Sequence, residues 1–339
     1  NPDGSTAYDF NPMFDEVRDF ISSADVAICH QETPIAFDNK NLTVPRTLSF
    51  NAPKEIAAAA KGAGFDGCST ASNHTWDRLQ AGVDSTLDVL DANELKHTGS
   101  ARTAAEVEDW PIYEAGGVKV GHLAYSYTIF NNAGPNTQVP PEAPWLKEYL
   151  WPALKAEGII AQAKKLRAKG AEFIVMSIQW GNQYVHEPTD DQRQLAKTLL
   201  NSPDIDFIIG HHVHVIQPCE KINGKYVAYG VGNFLSNQSP TQDSTLVNDN
   251  QDGTIVRADV VETSPGKFET TGLTYLPTWV EIPSKHKIVP ASPDNYADSY
   301  NRTVKWMNML GPEACDARAI PDDGKPVDAK LIKTNLDAQ

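Results

Sequence analysis

The chain reads as an α/β protein built on mixed sheets, and three observations predict it. Short apolar runs alternate with segments of helical periodicity along most of the 339 residues, the pattern that buries a sheet against helices. Late in the chain the apolar runs come as hairpin pairs, which adds antiparallel strands to an otherwise parallel sheet. The composition, 40% hydrophobic and 22% charged, is that of a globular protein long enough to bury a large core.

The elements follow in order. Residues 25-DVAICHQ-31 predict a buried strand. Residues 53–64 predict a helix, with Pro53 at its start and Gly64 at its end. A second strand is 65-FDGCSTA-71. Over 77–93 the spacing predicts a helix with Leu79, Val83, Leu87 and Leu90 on one face. Residues 112–128 read as two strands joined at Gly116-Gly117, and the proline-rich stretch 135–150 as a surface loop. A helix over 153–169 precedes the strand 172-EFIVMSIQW-180, and a helix over 189–202 precedes the strand 206-DFIIGHHVH-214. Residues 220–234 form a hairpin over Asn223-Gly224, and 270–282 is strand-like. The expected organisation is one domain over 1–282 and a C-terminal extension, 283–339, packing on it as loop plus one helix over 294–310.

Several function classes are excluded. A net charge of −15 argues against nucleic acid, because neutralising phosphates requires a basic face. No apolar run reaches the roughly 18 residues that cross a membrane. No signal peptide is visible; the chain opens on the polar NPDGSTAYDF, and a leader lying upstream stays open. The four cysteines contain no CxxC pair, so a thiolate zinc site is not expected. Cys29 and Cys68 lie in apolar runs and read as buried free thiols. Cys219 and Cys315 are candidates for a disulfide if the protein is secreted.

Chemistry-bearing residues stand immediately after predicted strands. The clusters are His30-Gln31-Glu32, Asn73-His74, Gln179-Trp180-Gly181, His212-Val213-His214 and Gly232-Asn233-Phe234. Ligands of open α/β sheets bind at the carboxyl ends of strands, so five such clusters are expected to serve one place. On an extended segment residues two apart share a side, which turns His212 and His214 toward one metal and His211 away. Asn73 is either a helix cap or a neutral oxygen ligand, and the adjacent His74 a general acid. Glu32 is either a solvated loop carboxylate or the bridging ligand of a two-ion site. Gln179 and Asn233 decide little alone.

Taken in order, E-T-P, S-N-H-T-x-D, Q-W-G-N-Q-Y, G-H-H-V-H-V-x-Q-P and G-N-F over residues 8–240 resemble the CapA family of capsule synthesis proteins linked to poly-γ-glutamate, within the calcineurin-like metallophosphoesterase superfamily. The resemblance implies a four-layer α-β-β-α sandwich of mixed sheets. It implies divalent metal ions (manganese, iron or zinc, in a two-metal site) on Glu32, Asn73, His212 and His214, with His74 as the catalytic histidine. His30, Gln179, Tyr184, Gln217 and Asn233 take positions that support the ligands or face the substrate.

Three departures accompany it. The family's opening strand ends in Gly-Asp, and this chain contains no such dipeptide; either that strand lies upstream or a carboxylate ligand is lost. Gln179 and Gln183 stand where many members carry His and Glu, and His30 where Asn is usual. The function implied is a cell-envelope protein of poly-γ-glutamate synthesis, release or anchoring, with a metal-dependent hydrolase or transferase site for γ-glutamyl amide bonds. The alternatives are a phosphoesterase acting on a phosphorylated small substrate and a non-catalytic polymer-binding or assembly subunit. Expected partners are poly-γ-glutamate and a membrane-bound synthase complex, and the expected location is extracytoplasmic, held at the membrane by an upstream segment.

Overall fold

The computed structural model describes residues 8–43, 47–282, 286–311 and 313–321. Residues 322–339, the end of the expected C-terminal extension, lie outside the described residues. The chain divides into two units, Asn1–Gln179 and Trp180–Gln339, and each is a mixed α/β body.

In the first unit, β1 (Ile28–His30), β2 (Gly67–Ser69) and β3 (Lys96–Thr98) form a parallel sheet with β2 in the middle. Parallel neighbours require crossovers, supplied by α1 (Glu55–Ala63) and α2 (Leu79–Ala92). Helix α1 stops at Gly64, whose φ of 109° is open to glycine without steric cost. Pro53 does not open that helix; it pairs in a short bridge between Ile35–Ala36 and Ala52–Pro53. Helix α2 buries Val83, Leu87 and Leu90 as its spacing predicts, but Leu79 sits at positive φ in the first turn and is exposed.

The same unit holds a second sheet. Strands β4 (Ile112–Ala115) and β5 (Val118–Tyr125) are an antiparallel hairpin turning at Gly116-Gly117, and β5 runs parallel to β6 (Phe173–Gln179). Every residue of β6 is buried, the near-continuous apolar run of a strand covered on both faces. The crossover between β5 and β6 is α3 (Trp151–Ala168), kinked at Lys155. The expected surface loop over 135–150 contains a tight helical turn, Pro144–Tyr149, that buries Leu146 and Tyr149. Its Trp145 indole donates to the Ala101 carbonyl at 2.9 Å.

Cys29 and Cys68 are not free thiols. They are register partners on β1 and β2, Cα atoms 4.3 Å apart, and form a disulfide. Strand pairing placed both Cβ atoms on one face within bridging reach, which apolar character alone does not reveal.

In the second unit, β7 (Phe207–His211) runs parallel to β9 (Lys225–Val231), and β9 pairs antiparallel with β8 (Ile216–Ile222). The β8–β9 turn has positive φ at both Asn223 and Gly224, the type that suits the twist of a hairpin. Helix α4 (Asp190–Asn201) starts in a capping box between Thr189 and Gln192. Strands β10 (Asp252–Ser264) and β11 (Lys267–Glu281) form a long antiparallel ribbon, with β12 (Lys287–Pro290) beside β11. Helix α5 (Ala297–Met307) lies inside the span predicted for it. A Cys219–Cys315 disulfide, Cα atoms 5.7 Å apart, ties the segment after α5 to β8.

Helix α5 is held by a buried charge cluster. Arg302 clamps Asp252 with two bonds of 2.7 and 2.9 Å, and the Ser299 hydroxyl donates to the same carboxylate at 2.6 Å. Burial pushes the Asp252 carboxyl up to about 6, against the pull of Arg302 and Ser299. Removing one partner of such a pair strands the other charge in the interior. Arg302→Ala is therefore expected to cost about 3–5 kcal/mol in denaturant unfolding, far more than a surface truncation.

His122 on β5 is fully buried, with Nε2 3.0 Å from the Ser177 hydroxyl. Burial, then the nearby His30, push its pKa down to about 3 from 6.5. Between those values the unfolded chain binds more protons than the folded one, so stability falls as pH drops from about 6.5 toward about 3. His122→Gln keeps a hydrogen-bonding side chain and cannot titrate. Its unfolding free energy should lose less on acidification than the wild type's, by up to about 1.4 kcal/mol per pH unit.

Candidate functional site

The polar residues picked out by the sequence gather into two clusters, one in each unit. In the first unit they are organised by the Gln179 side chain, wholly buried at the end of β6. Its Oε1 accepts the backbone N–H of Asn73 at 2.8 Å and lies 3.3 Å from the Ser126 hydroxyl. An N–H can only donate, so this bond fixes which amide atom is oxygen. The Gln179 Nε2 then faces His30 Nε2 at 3.2 Å, Glu32 Oε1 at 3.4 Å and Ser72 Oγ at 3.3 Å. His30 Nε2 is consequently an acceptor, and its Nδ1 carries the proton toward Ser69 Oγ, 2.7 Å away. Ser69 is the register partner of His30 across β1 and β2, so strand pairing sets the ring.

His74 follows Asn73 in a tight turn and is buried. Its backbone N–H donates to Ser72 Oγ at 2.9 Å. Its Nδ1 lies 2.8 Å from Asp77 Oδ2, both side chains being more than nine-tenths buried. The same Asp77 oxygen accepts the Phe50 backbone N–H at 2.7 Å, and the Phe50 ring meets His74 edge-on at 4.6 Å. A carboxylate on Nδ1 puts the proton there and leaves Nε2 as the basic nitrogen, the arrangement of an oriented general base. Asp77 was missed as a functional residue by sequence reasoning. The signal was available in the fixed three-residue spacing of His74 and Asp77 within S-N-H-T-x-D.

In the second unit, His212 and His214 are not on an extended strand. Strand β7 ends at His211, and His212 and His214 have φ of 88° and 56°. The alternation argument therefore fails as a mechanism, although the two rings do lie near each other, centroids 6.2 Å apart. Non-glycine residues in the left-handed region are held there by their surroundings. Here Asn250 donates to the His214 carbonyl at 3.2 Å, and Tyr184 N–H to the Val213 carbonyl at 2.7 Å. Upstream, Gly210 leaves no room for a Cβ, which would strike the Tyr229 carbonyl and the Trp180 indole nitrogen.

Asn233 sets the His214 ring. Its Nδ2 donates to the Asn250 carbonyl at 2.8 Å, so its Oδ1 faces His214 Nδ1 at 2.9 Å and accepts from it. Nε2 is then the lone-pair nitrogen of His214, the tautomer that metal-binding imidazoles adopt when Nδ1 is held by an oxygen. Tyr184, at positive φ and exposed, stacks on His214 with centroids 6.0 Å apart. Gln217 is wholly buried; it accepts from Gln192 at 2.7 Å and donates to the Val185 carbonyl at 2.9 Å. It anchors the loop that carries Tyr184.

The divalent ions that the resemblance implies have to fit these residues. Among the described residues, no group of three or more His, Cys, Asp or Glu side chains is arranged to hold a metal ion. In the first unit the Gln179 N–H donor points at His30 Nε2 and Glu32 Oε1, where an ion bound by those two atoms would have to sit. That cluster, as arranged, does not fit a divalent cation.

A family profile described as bacterial capsule synthesis protein PGA_cap matches residues 1–238. The chain is 25% identical over 260 residues to the PGA biosynthesis protein CapA of Bacillus subtilis (strain 168), covering 76% of this chain and 64% of that one. It is 26% identical over 244 residues to the capsule biosynthesis protein CapA of Bacillus anthracis, covering 71% and 58%. The chain thus spans less than two thirds of the length of either relative. Among solved structures, the Thermus thermophilus sulfate thiohydrolase SoxB in complex with glycerol aligns at a TM-score of 0.39 and 13% identity, over 77% of this chain and 39% of that one.

If Asn233 sets the His214 tautomer, Asn233→Leu should release it. Nitrogen-15 NMR of the imidazoles should show His214 protonated at Nδ1 in the wild type and shifted toward the Nε2-protonated tautomer in the variant, the other histidines unchanged.

Proposed function

Because this chain belongs to the bacterial capsule synthesis family PGA_cap, we propose that it serves poly-γ-glutamate capsule formation at the cell envelope, acting on γ-glutamyl amide bonds to release or transfer the polymer. The observation that carries this reading is the buried His74–Asp77 pair. Cleavage of a γ-glutamyl amide needs a group that takes a proton from the attacking water or amine and returns it to the departing α-amine. His74, oriented by Asp77 and basic at Nε2, is equipped to do both. Glu32 and Asn73 remain the residues of the first unit that this reading assigns to substrate binding, and His212 and His214 remain candidate ligands within the second.

Two disulfides, Cys29–Cys68 and Cys219–Cys315, support an extracytoplasmic setting, since such bonds persist in oxidising compartments. Among the described residues no helix is long and apolar enough to cross a membrane; attachment to a membrane-bound synthase complex is part of the proposal. A second reading, a polymer-binding or assembly subunit without catalysis, is favoured by one observation: the Gln179 amide satisfies acceptors that metal-dependent hydrolysis would use. The phosphoesterase reading depends on that same metal chemistry and has the weaker support.

The test is incubation with poly-γ-glutamate, following free α-amino groups and polymer length, alongside p-nitrophenyl phosphate. New amino ends should appear with wild type, and the rate should fall about 100-fold or more in His74→Ala. Asp77→Asn should lose a comparable share while leaving polymer affinity intact. Polymer retention without any new amino ends would establish the second reading, and turnover of the phosphate ester alone the third.

A further inference from the structure

We infer that the Gln179 amide takes the place of a cation in the first unit, making the His30–Glu32 cluster a hydrogen-bonded cradle that does not bind divalent metal. This deepens the reading above, on which it rests only for the identity of the site.

The argument is one of donors and acceptors. His30 Nε2 and Glu32 Oε1, both on half-buried residues, lie within 3.4 Å of Gln179 Nε2, and acceptors that share one space favour a donor or a cation there. A divalent ion supplies that with charge, and an amide NH₂ with two polarised hydrogens. Gln179 Nε2 stands 3.2 Å from the imidazole nitrogen and 3.4 Å from the carboxylate oxygen. Its third neighbour, Ser72 Oγ at 3.3 Å, already accepts the His74 N–H, and the two amide hydrogens are shared among the three. The amide cannot turn its oxygen toward this space cheaply. Rotation would put NH₂ against the buried Asn73 N–H, which now donates to Oε1 at 2.8 Å. Two donors would then face each other, and the Asn73 N–H would lose its acceptor. The backbone of the Asn73 turn thus locks the amide with its hydrogens toward His30 and Glu32.

The lock has an isosteric key. Gln179→Glu keeps an oxygen for the Asn73 N–H and replaces the NH₂ with a second oxygen of the same size in the same place. A donor then becomes a ligand, and one imidazole with two carboxylates is a donor set that suits manganese or zinc.

The experiment measures Mn²⁺ and Zn²⁺ binding by isothermal titration and by metal analysis after dialysis, for wild type, Glu32→Gln, Gln179→Glu and the double variant. The inference expects wild-type affinity to be unchanged by Glu32→Gln. It expects Gln179→Glu to bind Mn²⁺ at least about tenfold more tightly, a gain of the size that ligand-shell changes produce, and the double variant to lose that gain. A wild-type site whose affinity drops tenfold or more in Glu32→Gln would overturn it. So would a folded Gln179→Glu protein, judged by circular dichroism, that gains nothing. Should Gln179→Glu not fold, the comparison of wild type with Glu32→Gln decides alone. Neither arm depends on polymer turnover, so failure here and failure of the hydrolase reading are separately visible.

Discussion

The hydrogen bond from the Asn73 backbone to the Gln179 side chain organises the first unit's polar cluster. It joins the turn after β2 to the end of β6 and decides which face of the amide carries hydrogens. From that single assignment follow the acceptor state of His30 Nε2, the proton on His30 Nδ1 toward Ser69, and the donor presented to Glu32. A buried amide has one face that gives and one that takes, and a backbone N–H beside it leaves no choice.

The second unit uses the same device at another ring. Asn233 is oriented by the Asn250 carbonyl and in turn orients His214. The neighbouring backbone is held in left-handed conformations at both His212 and His214, which cost energy unless the surroundings impose them. Asn250 and Tyr184 grip that bend from either side. Together these features place the His214 proton on Nδ1. The two clusters are chemically unlike: the second orients a histidine through the oxygen of an amide, the first through the hydrogens of one.

His74 differs from both, because its partner is a carboxylate rather than an amide. Asp77 is itself oriented by the Phe50 N–H, so the pair is supported on two sides and shielded by the Phe50 ring. Acid–base work needs a group that changes protonation, and an amide cannot supply one. Within the first unit's cluster, Gln179 can only give and accept hydrogen bonds, whereas His74 beside Asp77 is a group able to exchange a proton. Covalent and buried ionic ties brace each unit by itself: in the first, the Cys29–Cys68 link on the residues that precede His30 and Ser69, and in the second, the Cys219–Cys315 link and the Arg302–Asp252 clamp.

The mixed α/β class, the main strands and the helices were legible in the amino-acid sequence, because burial imposes periodicity and turns demand particular residues. So was the family, through motifs whose order along the chain is itself the signal. The sequence also named His30, Glu32, Asn73, His74, Gln179, His212, His214 and Asn233, since polar residues at strand ends stand out against apolar runs. What it did not determine was how they are joined. That Cys29 meets Cys68, that Asp77 holds His74, that the chain bends at His212 instead of running on as strand, and that Gln179 turns its hydrogens toward His30 are contacts between residues distant in sequence or choices between two faces of one group. Periodicity records which side chains are buried; only the tertiary structure, by placing a donor or an acceptor beside each, decides what each buried polar atom must do.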